Sequence, residues 1–140
     1  MPEGKKPPVK RQPLRDGKEV SAMGWTEDVH GAVLLVKQKR GRKFWTLPGG
    51  KIHANEGVET GLKREIREET GARTISATQM ALFDRPAKRN ITFLYRVSLQ
   101  TVKSWKPTPS EIASVEYHSK LPPDASPSLK YFWKLLRPRG

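Results

Sequence analysis

The sequence contains no cysteine. Disulfide bonds and thiolate metal sites are therefore excluded, and a reducing cytoplasm is the natural compartment. Long apolar runs are missing as well, since none approaches the ~18 residues that a membrane-spanning helix needs. The first 18 residues are basic and rich in proline, with no apolar stretch, so they do not resemble a secretory signal. We therefore expect a soluble, cytoplasmic protein that has no membrane partner.

Acidic residues are scarce. The chain has 14 Asp and Glu against 27 Lys and Arg, which gives a formal charge of +13 over 140 residues. Such a field attracts anions such as polyphosphates, nucleotides or nucleic acid, although basic residues can also serve solubility alone. Five of the seven residues in KQKRGRK (37–43) are basic, whereas five of the 14 acids lie between residues 56 and 69. This distribution indicates a cation at an acidic site and an anionic ligand around it.

The chain has the length of one ordinary domain. Residues 1–18 lack periodicity and are expected to form a basic, mobile tail, with the folded domain over 19–140. Strand patterns occupy 19–25, 32–38, 44–47, 74–83, 91–99 and 112–117, with a basic loop, DRPAKRN, between the fourth and fifth. Helices are predicted from Val58 to Thr70, followed by Gly71, and after Ser126 as N-cap with Pro127 at the first position. These elements predict an α/β fold in which helices cover both faces of a mixed sheet.

The first predicted helix places carboxylates among its apolar residues. At about 100° per residue, its apolar stripe consists of Val58, Leu62 and Ile66. Glu69 falls inside that stripe and Glu65 on its border, while Glu68 and Arg64 lie just beyond it. An isolated carboxylate that faces a core costs several kcal/mol unless it is neutralised, hydrogen-bonded or bound to a metal.

Spacing brings three of these carboxylates together. Glu65, Glu68 and Glu69 are related by three and four residues, so their oxygens can converge on one point, where a hard divalent cation removes their mutual repulsion. Oxygen ligands without cysteine favour Mg²⁺ or Mn²⁺ over zinc. The alternative is a solvated helix with an Arg64–Glu68 pair and accidental phasing.

The same segment resembles a known family. The pattern G-x5-E-x7-R-E-U-x-E-E-x-G-U, with U aliphatic, is the Nudix box, and its matching positions are Gly50, Glu56, Arg64, Glu65, Ile66, Glu68, Glu69 and Gly71. Ala72 departs from the pattern, because it is small where an aliphatic residue is usual. AVLLVKQK and WTLPGG before the box also look like Nudix hydrolases. The resemblance implies a Nudix-type α/β/α sandwich, with a mixed β-sheet between helices, over about residues 19–137.

The resemblance also implies a reaction and a role for each matched residue. Nudix enzymes hydrolyse a diphosphate that is linked to another moiety, most often a nucleoside. Glu68 and Glu69 become the main metal ligands, and Glu65 becomes a ligand or the base that deprotonates water. Arg64 would hold the glutamates through ion pairs, Glu56 would contribute through a second metal or its water shell, and the Gly49 carbonyl resembles the family's non-carboxylate ligand. The implied cofactor is Mg²⁺ or Mn²⁺.

Some candidates keep two interpretations. Glu111 stands where many Nudix enzymes supply a further metal-binding acid, and its position equally suits a surface carboxylate at the start of a strand. The Pro48–Gly50 corner either lets backbone approach a ligand closely or is a plain tight turn. Trp45 or Phe44 either stacks on a base or belongs to the core.

The substrate is the least specified feature. A nucleoside triphosphate or damaged nucleotide, cleaved to the monophosphate and pyrophosphate in the manner of MutT-like members, is our first expectation. One alternative is the 5′ end of RNA, gripped by residues 1–18 and 37–43. Others are an ADP-ribose-type substrate, which Pro86 weakly suggests, and a nucleotide-binding module without catalysis. Oligomeric state is not predicted.

Overall fold

Seven strands and two α-helices make up the part of the chain that the computed structural model describes, residues 18–137. The strands are β1 (Glu19–Trp25), β2 (Val33–Gln38), β3 (Trp45–Thr46), β4 (Gly49–Lys51), β5 (Thr74–Arg85), β6 (Asn90–Leu99) and β7 (Ile112–His118). The helices are α1 (Val58–Thr70) and α2 (Pro127–Leu136), with a short 3₁₀ turn over Pro86–Lys88. The predicted tail lies outside the described residues except for Lys18, whose Nζ is 2.9 Å from Asp84 Oδ1.

The strands form two sheets. The larger sheet has the order β4-β1-β6-β5, in which β1 and β6 are parallel and the other pairs antiparallel. The smaller sheet has the order β3-β2-β7 and is antiparallel throughout. The α/β class, with a mixed sheet and helices, is therefore confirmed. The single predicted sheet is in fact two, which pack around a shared core.

Two hydrophobic cores hold the layers together. The first core joins α1 to one face of the larger sheet and consists of Val20, Ala22, Ile52, Leu62, Ile66, Tyr95 and Val97. The second core joins the opposite face of that sheet to the smaller sheet and α2, and includes Trp25, Leu35, Trp45, Leu47, Leu94, Phe132 and Trp133. Because side chains alternate along a strand, β1 and β6 supply both cores.

α1 begins and ends where the sequence predicted, and α2 begins where it predicted. Gly71 ends α1 with a φ of 82°, and its N–H donates to the Arg67 carbonyl. Ser126 caps α2, since its hydroxyl accepts a hydrogen bond from the Leu129 N–H over 3.2 Å. No helix within residues 18–137 is long and apolar enough to cross a membrane.

Two connections differ from the prediction. The Pro48–Gly50 corner does not merely interrupt a strand, because Gly49–Lys51 is itself a strand at the edge of the larger sheet. Three of the seven residues of the predicted loop DRPAKRN lie in strands, since Asp84 pairs with Ile91 and Arg85 with Asn90. Cross-strand pairing therefore extends into polar residues whose composition is typical of a loop, and the 3₁₀ turn and Arg89 lie outside the ladder.

Candidate active site

The backbone of β4 lies directly against the glutamates of α1. Gly49 has a φ of 144°, and a Cβ there would stand 2.1 Å from the Ala22 carbonyl oxygen. A Cβ on Gly50 would stand 2.8 Å from the Glu65 carboxyl carbon. The Gly49 N–H donates to Glu69 Oε1 over 2.8 Å. Gly49 therefore allows the backbone to approach β1 closely, and Gly50 allows it to approach the Glu65 carboxylate. Close approach of this corner to a ligand stays a prediction.

Arg64 lies at the centre of a cluster of carboxylates. Its Nε and Nη2 donate to the two oxygens of Glu56 over 2.7 and 3.0 Å. Its Nη1 is 3.1 Å from Glu65 Oε2 and 3.4 Å from Glu68 Oε1. The hydrogen bonds to Glu56 raise the pKa of Arg64 despite its partial burial. Arg64 therefore stays charged and orients three glutamates at once.

Glu56 is hydrogen-bonded to neighbouring residues of the protein through both of its carboxylate oxygens. Both of its oxygens accept from Arg64, and one also accepts from the His53 N–H over 2.9 Å. Partial burial opposes ionisation of Glu56, but these hydrogen bonds lower its pKa overall. A role for Glu56 in binding a metal or its water shell stays a prediction, and in this arrangement its oxygens bind protein donors.

The two inward-facing glutamates resist ionisation. Burial raises the pKa of Glu65 to about 7; the Arg64 charge opposes this, and the negative charges of Glu68 and Glu111 add to it. Burial raises the pKa of Glu69 well above its usual range, and the charge of Glu65 adds to the effect. Both residues are partly buried, so the periodicity that placed Glu69 inside the apolar stripe and Glu65 at its border corresponds to a half-buried position of each carboxylate.

Glu111 lies on the far side of this cluster. With Glu69 it lines a cleft of about 180 Å³, together with Gln38, Arg40 and Ile112. Its charge contributes to the raised pKa of both Glu65 and Glu69. The structure therefore brings together Glu65, Glu69 and Glu111, although Glu111 is exposed.

The segment before Glu111 is held by the basic turn of residues 37–43. Lys39 Nζ donates to the Pro109 carbonyl over 2.9 Å, and Arg40 Nε donates to the Ser110 carbonyl over 3.0 Å. The Lys39 N–H donates to the carbonyl of Glu111 itself over 2.9 Å. Two of the residues assigned to RNA binding thus make internal contacts. No sequence pattern indicates these contacts, because partners separated by about seventy residues leave no local signal.

The donor chemistry of the cluster fits a hard divalent cation. Its ligand atoms are carboxylate oxygens, burial and neighbouring carboxylates raise the pKa of Glu65 and Glu69, and Gly50 lets the backbone approach Glu65 closely. As the side chains lie, no three His, Asp or Glu groups within residues 18–137 stand close enough together to hold a metal ion. One oxygen of Glu65 and one of Glu68 lie within ion-pair distance of Arg64.

The two aromatic candidates for base stacking differ in their burial. Trp45 is 9% exposed and lies in the second core, with the His118 ring 4.4 Å away by centroid. This burial favours the core interpretation for Trp45, whereas Phe44 is partly exposed. Pro86 begins the 3₁₀ turn at the tip of the β5–β6 hairpin.

Comparison with known proteins agrees with this geometry. Residues 17–132 match the family model described as NUDIX domain. The 8-oxo-dGTP diphosphatase of Proteus vulgaris is 42% identical over 67 residues, which is 45% of this chain and 54% of that protein. The matched segment covers 36% of another relative, a putative 8-oxo-dGTP diphosphatase of Bacillus subtilis, so the chain spans about half or less of these relatives.

Solved structures share the fold. The MutT NUDIX hydrolase of Burkholderia pseudomallei superposes with a TM-score of 0.71 at 24% identity, covering 80% of this chain and 92% of that one. An ADP-ribose pyrophosphatase of Streptococcus suis superposes with a TM-score of 0.68 at 20% identity, covering 86% and 92%. One fold thus serves proteins named for different substrates. The chain belongs to the Nudix family.

Proposed function

We propose that this chain hydrolyses the diphosphate linkage of a nucleoside triphosphate, releasing the monophosphate and pyrophosphate. The observation that carries the proposal is the approach of Glu65 and Glu69 to the Gly49–Gly50 backbone, with Glu111 across the cleft. Burial raises the pKa of Glu65 and of Glu69, and neighbouring carboxylate charges add to the effect, which is typical of a site built to receive a positive charge. Structural ion pairing alone does not require such crowding.

Different residues of the chain serve different roles in the proposed hydrolysis. Glu68, Glu69, Glu111 and the Gly49 carbonyl are the groups that would hold Mg²⁺ or Mn²⁺. When bound, such an ion neutralises phosphate oxygens and lowers the pKa of water. Glu65, whose pKa is near 7, suits a general base that accepts a proton from the attacking water. Arg64 holds the carboxylates of Glu56, Glu65 and Glu68 in position through ion pairs.

A damaged guanine nucleotide is the first substrate to test, because a relative with 42% identity is named 8-oxo-dGTP diphosphatase. The screen should compare 8-oxo-dGTP, dGTP, ADP-ribose and 5′-triphosphate RNA, with Mg²⁺ and with EDTA, and quantify pyrophosphate and monophosphate. We expect kcat/KM for 8-oxo-dGTP to exceed the other values by at least about tenfold, or about 1.4 kcal/mol. A Glu68→Gln variant should lose hydrolysis while keeping its circular dichroism spectrum. Absence of turnover with every substrate in both Mg²⁺ and Mn²⁺ would instead indicate a binding module without catalysis.

A second candidate, the 5′ end of RNA, has its own support. Arg67 and Arg73 are exposed and line, with Glu68, a cleft of about 380 Å³ on the outer side of α1. An RNA strand whose 5′ end lies in the carboxylate site would extend across this surface and contact these basic side chains one after another. Turnover of RNA that falls steeply with salt, while nucleotide turnover does not, would favour this candidate.

A further inference from the structure

A second cleft, of about 510 Å³, opens away from the carboxylate site; we call it the distal cleft. Its lining includes Arg96, Ser98, Trp105 and Tyr117. Tyr117 pairs with Leu34 on β2, whereas Ile112, the neighbour of Glu111, pairs with Gln38. These positions are four residues apart along β2, or about 13 Å at 3.3 Å per residue. The distal cleft is therefore a separate feature from the cleft of Glu69 and Glu111.

An aromatic pair forms one wall of the distal cleft. The rings of Trp105 and Tyr117 lie 6.0 Å apart at 52°, and Tyr117 is 38% exposed. Trp105 belongs to the segment between β6 and β7, which is anchored to α1 where the Lys106 N–H donates to the Thr70 carbonyl. The other three tryptophans of the chain lie in the second core. A partly exposed, anchored aromatic pair is a surface on which a planar ring can stack.

A cation and hydroxyl groups form the opposite wall. Arg96 is exposed, and its guanidinium makes no hydrogen bond or ion pair with another residue of the described part of the chain. Glu27 attracts Arg96 electrostatically, but its own closest partners are Trp25 Nε1, from which it accepts over 2.7 Å, and Arg137, which lies 3.3 Å away. The hydroxyls of Ser76 and Ser98, which are 2.6 Å apart, lie beside Arg96 together with that of Thr78.

We propose that the distal cleft binds a nucleoside monophosphate, its base stacked on Trp105 beside Tyr117 and its phosphate held by Arg96. The cleft volume lies within the range usual for small-molecule sites, about 300–1,000 Å³. One guanidinium can bind one phosphate. This assignment does not depend on hydrolysis at the carboxylate site.

The test is calorimetric titration of the full chain with GMP and with AMP in EDTA, where no divalent cation can recruit a nucleotide to the glutamates. We expect one molecule bound per chain and quenching of tryptophan fluorescence. Arg96→Gln should weaken binding at least about tenfold, and Trp105→Leu should weaken binding and remove the quenching. Guanosine and inorganic phosphate, titrated separately, should each bind far more weakly than GMP.

Arg42→Gln is the matched control, because it removes one exposed arginine charge outside the cleft. It should bind GMP as the unmodified chain does, and so should Glu68→Gln, even though hydrolysis is lost. The proposal is overturned if GMP does not bind at millimolar concentration. It is also overturned if Arg96→Gln binds normally, or if Arg42→Gln weakens binding equally, since that would show general attraction to a basic protein. Melting curves of each variant verify that the fold is retained.

Discussion

Thr108 donates both its backbone N–H and its side-chain hydroxyl to the carbonyl oxygen of Glu68, each over 2.9 Å. The last carbonyls of a helix have no partner within the helix, and here the segment before β7 supplies one. Lys106 does the same for the carbonyl of Thr70. With Lys39 and Arg40 on the other side, this segment is held at both edges, and the position of Glu111 relative to α1 follows from these contacts.

Thr108→Val should therefore impair hydrolysis without touching a carboxylate. Valine keeps the shape of threonine and removes the hydroxyl, so one hydrogen bond to Glu68 is lost, at about 1 kcal/mol of unfolding free energy. We expect kcat to fall several-fold with little change in KM, because Glu111 is displaced rather than removed. Steady-state kinetics and urea unfolding measure both effects. Thr101→Val, an exposed change in the same segment, is the control. Full activity of Thr108→Val would show that Glu111 needs no such support.

Glu69→Gln should abolish most hydrolysis and leave the fold intact. Glutamine can still accept the Gly49 N–H but no longer carries the charge that attracts a cation. Without metal the variant should be more stable by ~1 kcal/mol, because glutamine avoids the burial of a carboxylate and its repulsion with Glu65. Mg²⁺ should raise the Tm of the unmodified chain and raise that of the variant much less.

Glu59→Gln is the control for this experiment, since Glu59 is on the same helix but faces solvent beside Lys63. It should keep both activity and the response to Mg²⁺. Melting curves and activity assays in EDTA and in Mg²⁺ compare the three proteins. An active, Mg²⁺-responsive Glu69→Gln protein would contradict the proposed site.

The metal-free chain should lose stability as the pH rises through the acidic range. The pKa of Glu65 is about 7 in the folded chain against an ordinary 4.5. Between these values the folded chain keeps a proton that the unfolded chain has released, so the free energy of unfolding falls as pH rises from about 4.5 to about 7. The raised pKa of Glu69 acts in the same direction. Urea unfolding in EDTA at about pH 5 and about pH 8 measures the difference.

Glu65→Gln should reduce this pH dependence, because Glu65 then no longer titrates. The pKa of Glu56 is lowered, so its contribution has the opposite sign: it is present above 4.5 and is lost as the pH falls below that value. A free energy of unfolding that rises steadily from about pH 5 to about pH 8 in EDTA would contradict the assigned direction for Glu65.

The two pairs of basic residues in the turn of residues 37–43 should have different effects on nucleotide hydrolysis. Replacing Lys39 and Arg40 by Gln removes hydrogen bonds to the segment before Glu111, so nucleotide hydrolysis should fall. Replacing Arg42 and Lys43, which are exposed, should leave nucleotide hydrolysis unchanged. If RNA binds there, replacing Arg42 and Lys43 should also make RNA affinity less dependent on salt. The slope of log affinity against log salt concentration should fall by roughly 1 for each phosphate that the protein no longer neutralises. Equal effects of the two pairs on nucleotide hydrolysis would rule out this difference.

Local patterns predicted the parts of the site that lie close together in sequence. The helical period placed Glu65 and Glu69 inward, and Gly71 marked the end of α1, because each depends on neighbours within a few residues. The hydrogen bond between Thr108 and Glu68 joins residues 40 apart, so no periodicity indicates it. The strand at Gly49 was missed for a similar reason: glycine has low strand propensity, and only pairing with β1 stabilises it there.

The parallel pairing of β1 with β6 bears on how the chain folds. Glu19 is aligned with Asn90 and Trp25 with Arg96, so this pairing requires closure of a loop that spans half of the chain. Such closure carries a large entropic cost and is slow compared with the formation of hairpins such as β5–β6. The Gly49–Gly50 corner is held on the other edge of β1. Any folding intermediate that contains only the local helices and hairpins therefore lacks the corner that receives Glu65 and Glu69, and the carboxylate site is complete only after β1 has paired with β4.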